Sequence, residues 1–229
     1  FIIVRFNGAC NVTVYLILMR FLMNIVNYPK QIKNLCSICH KLGANGLCRA
    51  TSGNFSSRID EKKFIITKSG CDKATLKTND LMIYDVHGNS ENNTFNPSAE
   101  SALHCTLYLL DPAIKAILHT HSIAATVVSR ISSSSIKLEG YEMQKAIDNC
   151  YSHDCEIDIK IFENSQDMNK LSQELKIAWE NNELTSSCFL IKGHGLYAWG
   201  KSLDEAYRHI DGIEFLLECF WNEILVTSL

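Results

Sequence analysis

An α/β fold in one domain is what this sequence predicts, and three observations predict it. Segments whose apolar residues recur at helical spacing alternate with short apolar runs of strand character. Turns rich in glycine and serine separate the two kinds. The chain of 229 residues, 46% apolar and 21% charged, is long enough for one large core and has no linker-like or repeated stretch.

The elements follow in order. Ile32, Leu35, Ile38, Cys39 and Leu42 form one stripe of a helix over 28–42, stopped at Gly43 and Gly46. A small-residue loop, 50–56, leads to a strand at 64–67, a turn at Ser69-Gly70 and a strand at 81–86. Polar residues 88–97 read as a surface loop. The helix after Pro97-Ser98 carries Leu103, Leu107 and Leu110 on one face. Residues 113–120 are an apolar strand, and serines 132–135 mark a loop. Residues 142–147 read as a short helix with Met143, Ala146 and Ile147 inward. A strand at 157–162 precedes a helix through Met168, Leu171, Leu175 and Trp179. Strands 188–192 and 196–199 flank Gly193-His194-Gly195. In the last helix Ser202 and Glu205 make a capping box, and the apolar stripe runs Ala206, Ile210, Ile213, Leu217, Phe220 and Ile224.

Composition narrows the function. A formal net charge of -3 leaves no basic stripe for nucleic acid. The 10 cysteines are scattered, several of them within apolar runs (Cys105, Cys188, Cys219), which predicts free thiols in a reducing, cytoplasmic compartment. Cys36-Ser37-Ile38-Cys39-His40 has the spelling of a c-type haem attachment site. Its Cys39 falls on the buried helical stripe, and no second Cys-x-x-Cys completes a zinc ribbon, so the motif reads as core. The first 24 residues are apolar but interrupted by Arg5 and Arg20, and are too short between them to span a bilayer. They are expected to lie outside the fold, either as an extension of the reading frame or as a cleaved targeting segment. The catalytic domain is expected over 25–229.

Chemistry concentrates at His119-Thr120-His121. In a strand, alternate side chains share a face, so both imidazoles project together at the strand's end. Neutral imidazole is a common ligand of divalent metals, and His194, flanked by glycines in a turn between strands, is the best third ligand. Three protein ligands leave a position open for substrate. A metal so held can polarise a carbonyl and stabilise the charge that develops as a neighbouring C–H loses its proton. The acid/base candidates are Glu142, beside the apolar stripe of its short helix, and Glu100, in the first turn of its own. Thr51-Ser52-Gly53-Asn54, Thr67-Lys68-Ser69-Gly70 and Ser98 at a helix start offer hydroxyls and backbone N–H groups to an anion. None of them matches a Walker or dinucleotide-binding loop.

Taken in order, the stretches ATSGNFSSR (50–58), TKSG (67–70), NPSAESALHCTLY (96–108), AILHTHS (116–122) and KGHGLYAWGKSLDEAYRHIDGIEFLLE (192–218) resemble the class II aldolase (aldolase/epimerase/adducin) family. The likeness covers about residues 28–226. It implies a three-layer α/β/α class II aldolase-like fold around a central, mainly antiparallel sheet. It implies one Zn2+ per subunit on His119, His121 and His194. It also implies a phosphate site built from Thr51, Ser52, Gly53, Asn54, Ser69, Gly70 and Ser98. Ser101 falls where a relative contacts substrate, and Glu100 matches a glutamate that aldolases use near the metal. GHGLYAWG (193–200) and EMQKAI (142–147) resemble the branch that removes water from 5-methylthioribulose 1-phosphate in methionine salvage, with Glu142 on that branch's acid/base position. Tyr197 and Trp199 are then candidates to receive the methylthio end. The family's other activities are sugar-phosphate aldolase and 4-epimerase, and its adducin branch is non-catalytic; the three histidines favour a catalytic member. Family members are commonly homotetramers with sites near subunit boundaries, so a neighbouring chain can complete the site.

Overall fold

A computed structural model describes residues 27–90 and 98–228. The expected N-terminal segment 1–24 lies outside the described residues, as do Asn96 and Pro97.

Helix α1 (Pro29–Ala44) opens with proline in its first turn, where the missing N–H costs nothing, and buries Ile32, Leu35, Ile38, Cys39 and Leu42. Strands β1 (Asn54–Arg58), β2 (Lys63–Thr67) and β3 (Leu81–Asp85) follow, then α2 (Ser101–Leu110), β4 (Ala116–Thr120), α3 (Ile123–Ile131) and β5 (Ser135–Leu138). A 3₁₀ turn (Glu142–Ala146) leads to β6 (Ile157–Phe162), α4 (Met168–Glu180), β7 (Cys188–Ile191), β8 (Gly195–Gly200) and α5 (Leu203–Thr227). The Ser202 hydroxyl accepts from the Glu205 N–H and caps α5 as the sequence predicts.

The eight strands form one sheet in the order β3-β2-β1-β4-β8-β7-β6-β5. Only β6 and β7 run parallel; the other neighbours are antiparallel. Alternation along the strands sends Phe55, Ile65, Leu118, Leu190 and Leu196 to one face, against α1, α3 and α5. It sends Phe64, Ile66, Ile117, Phe189 and Tyr197 to the other, against α2 and α4. The result is the expected three-layer α/β/α architecture. No helix among the described residues is long and apolar enough to cross a membrane.

The structure corrects several expectations. Residues 54–56, read as the end of a loop, begin β1, a central strand that is polar yet buried. Its polar groups are answered from α2 and the segment after it. Ser56 Oγ bonds His104 Nδ1 (2.7 Å) and Tyr108 OH (2.8 Å), and Arg58 donates to the carbonyls of Ile114 (2.8 Å) and Tyr108 (2.6 Å). The serine loop ends in edge strand β5, with Ile136 and Leu138 buried. Met143 is 39% exposed, and Gln144 takes the inward place because three residues make a 3₁₀ turn. The Gln144 amide bonds the Tyr141 N–H and the carbonyls of Leu138 and Cys155. Cys150 and Cys155 form a disulfide, against the expectation of free thiols. Left-handed Asn149 (φ 62°) turns the chain there, and the two Cα atoms lie 5.8 Å apart. Cys36, Cys39, Cys48, Cys71, Cys105, Cys188 and Cys219 are free. The haem-like motif lies on a core-facing helix: Cys39 is buried, which pushes its thiol pKa up, and the exposed His40 bonds the Leu76 carbonyl through Nε2 (2.7 Å).

Candidate metal centre

The register of the sheet assembles the centre. Asn54 of β1 pairs with His119 of β4, His119 with Tyr197 of β8, and Tyr197 with Phe189 of β7. These four residues form one transverse row. The Tyr197 ring stacks on His119 (centroids 3.9 Å apart, planes 13° apart) and on Phe189 (4.8 Å, 14°). His119 is fully buried, and its Nδ1 donates to the Leu196 carbonyl (2.9 Å). That bond fixes the tautomer and leaves the Nε2 lone pair free. His121, two residues on, leaves the strand with its N–H donating to the Leu47 carbonyl (2.8 Å). His194 arrives from the turn between β7 and β8. Gly193 adopts φ 64° there, and its N–H donates to Ser129 Oγ (2.9 Å).

His119 Nε2 is 2.8 Å from His121 Nε2 and 3.3 Å from His194 Nε2. Two nitrogens in a tetrahedral zinc site with Zn–N bonds of 2.0–2.1 Å lie about 3.3 Å apart, so this spacing fits one ion. Glu100, at the foot of α2, completes the group. Its Oε1 is 2.9 Å from His194 Nε2 and its Oε2 3.8 Å from His119 Nε2. All four donor atoms lie within 4.8 Å of one another. Burial pushes the His119 pKa well below the ordinary range, the His121 and His194 charges adding to this against Glu100. Burial also takes His121 down to about 4. Burial tends to raise the Glu100 carboxyl, but the hydrogen bond with His194 and the positive charge that the neighbouring imidazoles carry when protonated bring it to about 2. Neutral imidazoles and an ionised carboxylate are the forms that donate electron pairs to a cation. The donor set therefore fits a divalent metal.

A cavity of about 240 Å3 opens beside the centre. Thr51, Ser52, Gly53, Asn54, Ser69, Gly70 and Ser98 line it together with Glu100 and His121. Ala50, Thr51 and Gly53 are left-handed (φ 51°, 65° and 76°), which bends the backbone sharply along the cavity wall. Ser52 Oγ is buried with no hydrogen-bond partner among the described residues. Lys68, within the predicted Thr67-Lys68-Ser69-Gly70 turn, lines the cavity. The sequence reading missed Lys73, which is almost wholly buried and donates to the carbonyls of Thr51 (2.7 Å) and Cys71 (2.8 Å), tying the two turns together. It stands in no recognisable motif.

Other candidates lie elsewhere. The Ser101 hydroxyl is turned onto the Ser98 carbonyl, and Ser101 does not line the cavity. Glu142 is not among the four donors of the centre. Its side chain is 71% exposed and pairs with Lys145, which lowers its pKa, and with His153 Nδ1 (3.4 Å). Tyr197 and Trp199 are buried in the sheet's core, so neither offers an open aromatic surface to a methylthio group.

Residues 33–221 match the profile of the class II aldolase and adducin N-terminal domain. The chain belongs to this family. Two relatives, both methylthioribulose-1-phosphate dehydratases, extend over most of it. That of Yersinia enterocolitica is 44% identical over 190 residues, covering 82% of this chain and 90% of the relative. That of Serratia proteamaculans is 42% identical over 191 residues, covering 83% and 93%. Among solved structures, L-fuculose-1-phosphate aldolase from Thermus thermophilus superposes with a TM-score of 0.69 at 23% identity, over 88% of this chain and 98% of that one. A sugar-phosphate aldolase from Thermotoga maritima gives 0.65 at 18%, over 87% and 97%. At those identities the two structures speak for the class II aldolase fold.

Proposed function

We propose that the chain is a cytoplasmic lyase that dehydrates 5-methylthioribulose 1-phosphate to 2,3-diketo-5-methylthiopentyl 1-phosphate, a step of methionine salvage. The observation that carries this is the 44% identity to dehydratases of that name across nearly the whole domain, with the histidine cluster opening on a cavity suited to phosphate.

In the reaction the C3 proton and the C4 hydroxyl leave as water. The resulting enol takes a proton at C4, and its C3 oxygen becomes the second carbonyl. His119, His121 and His194 would hold the metal, with zinc favoured by an all-imidazole set and Glu100 at its side. When bound, zinc supplies Lewis-acid polarisation of the substrate's C2 carbonyl. The phosphate is held by the backbone N–H groups and hydroxyls of 51–54, Ser69-Gly70 and Ser98. This leaves C3 and C4 toward the histidines. Glu100, ionised, is the carboxylate at hand for the C3 proton. Glu142 protonates the departing C4 hydroxyl. Because Glu142 is on the surface of its own chain, it serves the site of a neighbouring copy in a homotetramer.

The test is turnover of methylthioribulose 1-phosphate. Wild type is expected to give the diketone, and Glu142→Gln to lose on the order of 10²-fold or more in kcat, the usual range for an acid/base group. Co-refolding Glu142→Gln with His194→Ala, each inactive alone, is expected to restore part of the activity through mixed oligomers. Equal turnover by wild type and Glu142→Gln removes Glu142 from its role. Retro-aldol cleavage without diketone makes the chain an aldolase.

A further inference from the structure

The mechanism leaves His104 unused, although it is fully buried and bonded at both ring nitrogens. It stands on α2 four residues after Glu100. Asn54 lies between them: its Nδ2 donates to Glu100 Oε2, and its Oδ1 meets His104 Nε2. On the ring's other side Ser56 Oγ lies 2.7 Å from His104 Nδ1 and 2.8 Å from Tyr108 OH.

The direction of every hydrogen in this chain is determined. An ionised carboxylate only accepts, so Asn54 turns its N–H to Glu100 and its oxygen away. That oxygen only accepts, so Nε2 of His104 carries a hydrogen. Burial holds the ring neutral, with its pKa at about 3, so Nδ1 is bare. Ser56 must then donate to Nδ1, and its oxygen accepts from Tyr108. With Oε2 of Glu100 taken by Asn54, Oε1 faces His194 at 2.9 Å.

We infer that His104 is a positioning residue: through the amide of Asn54 it holds the Glu100 carboxylate in the one orientation that presents an oxygen to the three histidines. Remove the Nε2–H and the amide loses what fixes its sense; flipped, it would set its oxygen against the carboxylate and expel Glu100 from the centre. The inference takes its metal from the proposed function, but its test is read without substrate, so failure of the dehydratase assay leaves it standing.

The experiment measures zinc affinity by chelator competition. His104→Met is expected to bind zinc ten- to a hundredfold more weakly, the scale of lost outer-layer partners at metal sites. His104→Gln keeps an N–H for Asn54 and is expected to return to within about threefold of wild type. Ser56→Ala, a smaller change that frees the ring's tautomer, is expected to weaken binding by about threefold, below the full outer-layer loss. In a Glu100→Gln background His104→Met is expected to add less than about twofold, because residues acting through one group are not additive. Zinc affinity unchanged in folded His104→Met overturns the inference. So does unchanged affinity in Glu100→Gln, or losses that multiply in the double variant. Should His104→Met fail to fold, Ser56→Ala alone and with Glu100→Gln decides by the same criteria.

Discussion

Glu214 of α5 is a buried carboxyl, and replacing it with glutamine should change how stability depends on pH. Thr120 lies between the two strand histidines and faces the opposite side of β4, where its hydroxyl donates to Glu214 Oε1. Burial raises the Glu214 pKa from 4.5 to about 7, the bonds from Ser122 and Thr120 opposing it and Glu218 and Asp211 on the same helix adding to it. Oε2 has no hydrogen-bond partner among the described residues. The folded protein therefore keeps a proton that the unfolded chain has released between pH 4.5 and 7. Stability falls as pH rises through that window: below it both states are protonated, above it the full cost is present. A shift from 4.5 to about 7 corresponds to roughly 3 kcal/mol at 1.36 kcal/mol per unit. For a chain of this size that is ~6–12 °C in Tm. Glu214→Gln mimics the protonated acid, so its stability should pull ahead of wild type by about 2.5 kcal/mol between pH 5 and pH 8, the rest of the cost being already present at pH 5. Urea unfolding of both proteins across that range measures the difference, and subtraction cancels the histidines. A difference constant to within about 0.5 kcal/mol would show that Glu214 does not titrate there and would refute the reasoning.

Two further outcomes concern the cavity beside the histidines, proposed to hold the substrate's phosphate. Lys73→Met removes two charge-assisted bonds, each worth about 1.5–3 kcal/mol, while relieving a buried ammonium. A net loss of ~2 kcal/mol, or about 4–8 °C in Tm, is expected together with a KM for phosphorylated substrate raised about tenfold. An unchanged KM would separate Lys73 from the cradle. Gly53→Ala forces a side chain into φ 76°, with its Cβ 2.5 Å from the His119 carbonyl oxygen. It should cost about 1–3 kcal/mol and weaken zinc binding, and unfolding within about 0.5 kcal/mol of wild type would contradict the packing.

Much of the centre was legible because strand and turn chemistry are local. Alternation alone placed His119 and His121 on one side, and glycines beside His194 marked a turn able to bring a ring inward. The small-residue turns at 51–54 and 69–70 announced a cradle for the same reason. What escaped depends on partners distant in the chain. The start of β1 reads as loop because Asn54 and Ser56 are polar, and only α2 and the residues following it make the burial of these two and of Arg58 tolerable. Lys73 resembles any loop lysine until two carbonyls close on it. By sequence Glu142 was the first acid/base candidate and Glu100 the second, whereas the fold puts Glu100 among the histidines and Glu142 at the surface. Met143 and Gln144 exchanged places because a 3₁₀ turn repeats every three residues, a period too short to read from six.

The row Asn54–His119–Tyr197–Phe189 has a consequence for how the domain tolerates change. Slipping any of these strands by a single residue would carry its member of the row through the sheet to the far side. Misregistered copies would thus lose the power to capture an ion as well as their packing, and metal uptake would mark the correctly woven molecules. Insertions and deletions should be confined to the connections between β1, β4, β8 and β7, never admitted within them.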